Sequence, residues 1–418
     1  MALVCPSGPI GSVTVAKNSK NKRVLIYSHD SFGLGHLRRC RKIAHSLVAR
    51  RKAASVLILS GSPIIGSFDF RTRVDFVRIP GVIKLRNGEY SSLSLHMDIT
   101  EVLEMRAAII RHTAEAFAPD LLIVDKEPLG LRGEIHHTLR IMKAAGTRLV
   151  LGLRDVMDDP ESLAAEWQRK NPLPALDDLY DDILVYGLPE ICDPMVGIDL
   201  PDRVRAKMTY TGYLASESGA PGTDAPANPW LDQPYVLVTP GGGRDGEDLV
   251  DWVLSAYETD PELTQAALVV FGPFMRPKRR QRFLERVERL DWVRAITFDN
   301  RLERLIADAT GVVAMGGYNT FCEILTFDKP AVLVPRRHPR AEQYIRAARA
   351  EHLGLVRMLS DVDGRQPERM AHALRALPAQ QRPSDAIVPG LLDGLNRIHD
   401  LTEQWLNEEH EPRRFALA

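Results

Sequence analysis

GVVAMGGYNTFCEILTFDKPAVLVP, residues 311–335, decides how the rest of the chain is read. An apolar run at 312–315 reaches Gly316-Gly317, Asn319 and Thr320 open a helical segment that carries Glu323, and a second apolar run covers 331–334. The order is strand, glycine turn, helix N-terminus, strand. Glycine lets a ligand approach the backbone closely, and the free N–H groups and dipole of a helix N-terminus favour an anion. A phosphate site at Gly316, Gly317, Asn319 and Thr320 is the first expectation. Glu323 carries two competing readings, since Thr320-x-x-Glu323 fits a capping box while a free carboxylate there would accept hydrogen bonds from ribose hydroxyls.

A similar unit stands upstream. The strand candidate 235–238 meets Thr239-Pro240-Gly241-Gly242-Gly243-Arg244 and then a helix, a loop suited to a diphosphate, with backbone amides as donors and Arg244 to neutralise charge. No G-K-[ST] follows, so it is not a Walker A loop, and a plain tight turn is the alternative. Strand candidates at 267–271 and 292–298 and helices near 277–290 and 301–309 connect it to the opening stretch.

The first half repeats the scheme. A β-rich run at 23–28 leads into HDSFGLGH and a helix whose apolar positions, among them Leu37, Cys40, Ile43, Ala44, Leu47 and Val48, recur at spacings of three and four. Further apolar runs at 55–59, 74–79, 120–124, 148–153 and 183–186 are continuous rather than alternating. Helical stretches near 98–117 and 130–145 separate several of them, as in a parallel sheet covered on both faces. The loop Gly33-Leu34-Gly35-His36 lacks the third glycine of G-x-G-x-x-G, which argues against a dinucleotide fingerprint. His36 falls at the ligand-facing edge of the sheet, where an imidazole can act as general base, cap the helix or contact a phosphate. Asp30, Asp125 and Asp155 follow strands and are the candidates to orient it, Asp125 in VDKEP ranking first; each could equally cap a turn.

The expected organisation is a leader at 1–20, an N-terminal α/β domain at 21–215, a Pro/Gly/Ala/Ser-rich linker at 216–233, a C-terminal α/β domain at 234–389, and a helix and tail at 390–418. The 54 basic and 55 acidic side chains nearly cancel, which argues against a dedicated nucleic-acid binder. The four cysteines are scattered, as in a reducing cytoplasm, residues 1–20 lack a secretory core, and no apolar run approaches the roughly 20 residues that span a bilayer. A peripheral membrane contact stays open. No His, Cys or Asp grouping has metal-ligand spacing. The basic run from Lys278 to Arg280 reads as an exposed helix face.

Together these motifs resemble the GT-B superfamily, in particular glycosyltransferase family 28. There a Gly-rich loop ending in His opens one domain, a second opens the other, and a Gly-x-x-T-x-x-E helix followed by a strand, Pro and a later Gln binds the nucleotide sugar. Here these are Gly33, Gly35 and His36; Gly241 to Gly243; Gly317 to Glu323; Pro335 and Gln343. The resemblance implies two doubly wound Rossmann-like domains facing a central cleft, with the diphosphate on the glycine loops, ribose on Glu323, and the donor sugar at Gln343 and Glu342, where the family usually has His before Gln. It further implies a UDP-sugar donor, inversion by a base such as His36 attacking through an acceptor hydroxyl, and no required metal or cofactor.

Gly33 to Cys40 also looks like the start of the UDP-sugar hydrolase of the pseudaminic acid pathway, where the corresponding His helps activate water. Transfer and hydrolysis differ only in the nucleophile. A non-catalytic sugar-nucleotide sensor with the same fold is the third alternative.

Overall fold

A computed structural model of the chain describes residues 21–29, 35–85, 89–215, 233–299 and 301–408. The expected leader, Asp30, Gly33, nearly all of the expected linker and the tail beyond 408 lie outside the described residues.

The continuous apolar runs of the first half become buried parallel strands, since helices cover both faces and no solvent side remains to impose alternation. β1 (Lys22–Ser28), β2 (Ala54–Ser60) and β3 (Val74–Arg78) are followed by an antiparallel hairpin of β4 (Val82–Lys84) and β5 (Tyr90–Ser92). Then come β6 (Leu121–Asp125), β7 (Arg148–Arg154), β8 (Asp182–Tyr186) and β9 (Met208–Tyr210). Seven of these form one parallel sheet in the order β3-β2-β1-β6-β7-β8-β9. The second half builds β10 (Tyr235–Thr239), β11 (Ala266–Val270), β12 (Val293–Ile296), β13 (Gly311–Ala314), β14 (Ala331–Leu333) and β15 (Arg357–Met358), ordered β12-β11-β10-β13-β14-β15 and parallel throughout. The short strands β4, β5, β9 and β15 are absent from the sequence reading because two or three residues display no period.

In both sheets the winding direction reverses beside the first strand, between β1 and β6 and between β10 and β13. Open α/β sheets leave a crevice at the carboxyl ends of such neighbours, where ligands bind. His36, at the start of the helix that begins at Gly35, and the segment after Asp125 flank the first crevice. Gly241 to Gly243 and Gly316-Gly317 flank the second.

The C-terminal helix Gly394–Asn407 returns to the first half. Leu395, Ile398, Trp405 and Leu406 join the apolar cluster of Val24, Ile26, Cys40 and Ile43, and the Arg148 guanidinium lies 5.2 Å from the Trp405 ring centroid. Gly394 permits this return, because a Cβ there would stand 2.6 Å from the Tyr213 carbonyl.

Candidate active site in the cleft between the two sheets

Helix Gly35–Arg50 starts at the end of the first crevice and points His36 and Arg39, one turn apart, at the end of β6. His36 Nδ1–H donates to Asp125 Oδ2, while Arg39 closes on the same carboxylate through Nε and Nη2, both at 2.7 Å. Burial alone would raise the Asp125 carboxyl, but Arg39 and then His36 outweigh it and hold it well below the usual carboxylate range. Burial pushes the His36 imidazole below its ordinary value, against the opposing pull of Asp125 and with Arg39 and Lys126 adding to the fall. The ring is thus neutral near pH 7, with Nδ1 committed to Asp125 and the Nε2 lone pair available as a base. His29 stands edge-on to it at 5.7 Å between centroids and is also held neutral by burial, at about 3.

Across the cleft, Gly241 and Gly243 adopt φ of 74° and 86°, and a Cβ on Gly243 would lie 2.2 Å from the Phe271 carbonyl. Only glycine fits that close crossing. Gly241 and Gly242 line the cleft, whereas Gly243 is buried behind them and Arg244 is exposed and outside the lining. Arg336 lines this wall instead, 3.6 Å from Asp245 and 3.4 Å from Glu342.

Helix Tyr318–Thr326 is capped by Gly317 with no side-chain cap, so the capping box at Thr320 and Glu323 is not formed. The helix starts three residues earlier than that box requires. Gly317, Asn319 and Thr320 line the cleft, and Asn319 Nδ2 donates to the Gly35 carbonyl at 3.0 Å, joining the two glycine loops. Gly316 lies just behind, its carbonyl accepting from Arg346 Nη1 at 2.9 Å. Glu323 is 1% exposed and outside the lining. Its Oε1 accepts from Arg38 Nη2 at 2.5 Å, and its Oε2 has no hydrogen-bond partner. Burial raises its pKa, with Arg38 opposing.

Glu342 and Gln343 open helix Glu342–His352 and both line the cleft. Glu342 pairs with Arg154 at 2.5 Å, and Gln343 Oε1 accepts from the Arg336 amide at 3.2 Å. Burial would raise the Glu342 carboxyl, but Arg154, Arg346 and Arg336 overcome this and bring it to about 2.

The cleft these residues enclose has a volume of about 1180 Å³. Asp125 stands behind His36 and does not line it. Asp155 does not orient His36: it is fully buried and bound by Arg346 and Tyr213. Arg38 and Arg39 enter the sequence reading only as positions in the stretch from Gly33 to Cys40, without a role, and Arg346 does not enter it. The spacing of Arg39 from His36, three residues along one helix face, was the available signal for the first; Arg38 and Arg346 meet partners too remote for any local pattern. Among the described residues no group of three or more His, Cys, Asp or Glu side chains could hold a metal ion.

Residues 235–384 match the model of the glycosyltransferase family 28 C-terminal domain. An uncharacterized glycosyltransferase of Methanosarcina acetivorans is 25% identical over 217 residues, which is 51% of this chain and 53% of the relative, so the chain spans about half the length of that curated relative. Among solved structures, Phytolacca americana UGT2 complexed with UDP-2fluoro-glucose and pterostilbene superposes with a TM-score of 0.60 at 13% identity, covering 92% of this chain and 99% of that one. The calicheamicin glycosyltransferase CalG4 gives 0.57 at 17% identity, covering 93% and 99%. MurG of Acinetobacter baumannii gives 0.55 at 12%, covering 92% and 99%. At these identities the likeness to solved structures concerns the fold, which is GT-B. Residues 235–384 are thus similar to a glycosyltransferase family 28 C-terminal domain, set in a chain with that two-sheet GT-B architecture.

Proposed function

We propose that this protein is a glycosyltransferase that moves a sugar from a nucleoside diphosphate sugar, UDP-linked, to an acceptor hydroxyl with inversion at the anomeric carbon. One observation carries the reading: a neutral His36, held by Asp125 at the crevice of the first sheet, shares one cleft with the two glycine turns at the crevice of the second. The base and the anion site thus belong to different halves, which suits a single displacement with the nucleophile and leaving group on opposite sides.

In this reading, backbone amides at Gly242 and the start of helix Tyr318–Thr326 receive the diphosphate, Gly241 lets it approach while its own amide donates to Thr239 Oγ1, and Arg336 supplies positive charge in the place expected of Arg244. Glu323, buried behind this wall with Oε1 held by Arg38 and Oε2 unpartnered, reaches ribose only once its side chain shifts toward the cleft. Glu342 and Gln343 meet the donor sugar. His36 Nε2 takes the acceptor proton as its oxygen bonds the anomeric carbon and the bond to the diphosphate breaks; Asp125 stabilises the resulting imidazolium.

Water would be the nucleophile in a hydrolase. The cleft volume, about 1180 Å³, exceeds the roughly 300–1,000 Å³ of a site for one drug-sized ligand, which supports a second bound substrate. Incubation with a panel of UDP-sugars, with and without candidate hydroxyl acceptors, tests this. Acceptor-dependent release of UDP supports transfer. Release of UDP and free sugar without acceptor replaces it with hydrolysis, and tight binding of a UDP-sugar with no turnover in any mixture replaces it with sensing. Among the described residues no helix is long and apolar enough to cross a membrane.

A further inference from the structure

We infer that the acceptor carries an anionic group, a phosphate or carboxylate, and that the loop from Lys126 to Gly133 binds it beside His36. This rests on reading the cleft as the site of a nucleoside diphosphate sugar.

The loop leaves β6 directly after Asp125. Four of its eight residues have positive φ: Lys126 at 71°, Gly130 at 69°, Arg132 at 50° and Gly133 at 87°. Lys126 and Arg132 bear side chains that disfavour this region, and such strain persists only where the surroundings over-determine it. The surroundings do so here. The Lys126 amide donates to the Gly152 carbonyl at 2.7 Å, Tyr180 Oη donates to the Pro128 carbonyl at 2.5 Å, and the Leu131 amide donates to Tyr27 Oη at 3.3 Å. Tyr27 in turn donates to Glu134 at 2.5 Å, and buried Arg106 clamps that carboxylate at 2.6 and 2.7 Å.

This rigid frame delivers two cations to the cleft wall, Lys126 and Arg132. The Lys126 side chain is 12% exposed, and its nearest paired carboxylate, Glu127 Oε1, is 3.5 Å away. Glu127 is shared, its Oε2 accepting from Lys170 at 2.7 Å. Arg132 lies 5.4 Å from the Tyr90 ring centroid and has no ion pair among the described residues. A largely buried ammonium with only a loose, shared partner is costly unless an anion completes its shell. Burial accordingly pulls the Lys126 amine down to about 8 against the attraction of Glu127.

The site also has the right neighbours. Lys126 directly follows the residue that holds His36, and its charge is felt at the imidazole. An anion bound there places its own molecule next to the base. The donor diphosphate has amide donors and Arg336 on the opposite half, so it does not require these cations. Met157, Leu163 and Trp167 supply apolar surface on the same wall for the remainder of the acceptor.

The experiment titrates inorganic phosphate into the full-length protein already saturated with UDP, followed by calorimetry, and repeats it with Lys126→Gln, Lys126→Arg and Arg132→Gln. Wild type is expected to take up phosphate without releasing UDP. Lys126→Gln should weaken phosphate binding by about tenfold to a hundredfold, the scale of one lost charge-assisted hydrogen bond, while UDP affinity holds. Lys126→Arg should keep phosphate binding, and the exposed Arg132→Gln should weaken it in a protein whose melting temperature is unchanged. Phosphate that only competes with UDP, or whose affinity ignores both substitutions, overturns the inference. Failure of wild type to bind UDP overturns the underlying reading of the cleft, and with it the assignment of this anion to an acceptor.

Discussion

Arg346 closes its Nε and Nη2 on the carboxylate of Asp155 at 2.7 and 2.6 Å, across 191 residues of chain and with neither side chain exposed. Tyr213 Oη donates to the same carboxylate at 2.6 Å, and the third Arg346 nitrogen, Nη1, holds the Gly316 carbonyl at 2.9 Å. One guanidinium therefore ties the glycine turn of the second half to the sheet edge of the first. Arg346→Met leaves the Asp155 charge buried and unpaired, at a cost of about 3–5 kcal/mol. A lowered melting temperature and weaker UDP binding are expected. Combining it with Asp155→Leu should recover much of the stability but not the UDP affinity, since Gly316 stays released; unfolding curves and UDP titrations read both.

His36→Gln keeps the fold and removes the base. On the proposed mechanism kcat falls by about 10²- to 10⁴-fold while the dissociation constant for UDP is unchanged. A kcat within a few-fold of wild type would remove His36 from the chemistry. Asp125→Asn is a less clean test, because it strands the Arg39 guanidinium in the core.

The pH profile follows from the same pair. Neutral His36 is the active form, and burial lowers its pKa from the ordinary 6.5. The acid limb of kcat/KM should therefore lie below pH 6.5, with no loss from His36 at higher pH. An acid limb above that value would mean the imidazole is stabilised as the cation.

Acid stability has the opposite bookkeeping. Asp125, Glu127 and Glu342 all have folded pKa values below their ordinary 3.8, 4.5 and 4.5, the arginines, lysines and histidines around them outweighing burial. A depressed carboxylate contributes stability that is complete above its unfolded pKa and lost as pH falls through the folded one. Melting temperature should begin to fall below about pH 6.5, where the unfolded chain protonates the histidines that burial keeps neutral, and fall more steeply below about pH 4 as the carboxylate pairs are titrated. Thermal melts across that range check it.

Gly243→Ala and Gly241→Ala separate two uses of glycine. At Gly243 a Cβ would stand 2.2 Å from the Phe271 carbonyl, so the loop must move; UDP binding should weaken at least about tenfold. At Gly241 the nearest atom is 4.0 Å away and only the φ of 74° opposes the change, costing about 1 kcal/mol. Equal effects at the two positions would contradict this division.

The C-terminal helix shows how far local pattern reaches. Its apolar spacing through Leu395, Ile398 and Leu401 is readable as a helix, yet its partner is not. The structure sets Trp405 among residues of β1 and helix Gly35–Arg50, and Arg51 pairs with Glu403 at 2.5 Å. The same holds for Glu323. Its position in Gly-x-x-T-x-x-E is visible in the sequence, but its capture by Arg38, 285 residues earlier, is not.

By itself the sequence determined the alternation of buried strands and helices, the glycine turns and the presence of a histidine at a strand's end. These are local matters: side-chain period, left-handed backbone and N-terminal caps act over a few residues. Only the tertiary structure decided that Asp125, not Asp155, meets His36, that Arg336 rather than Arg244 lines the cleft beside the glycine turns, and that Glu323 sits behind that wall with one oxygen taken. The first and last of those outcomes are pairings of charged groups remote in sequence, Asp125 with His36 and Arg39 across strand order in the first half and Glu323 with Arg38 across the two halves. Such pairings are chosen by which carboxylate can be desolvated beside which guanidinium once both sheets have closed, a condition no window of sequence contains.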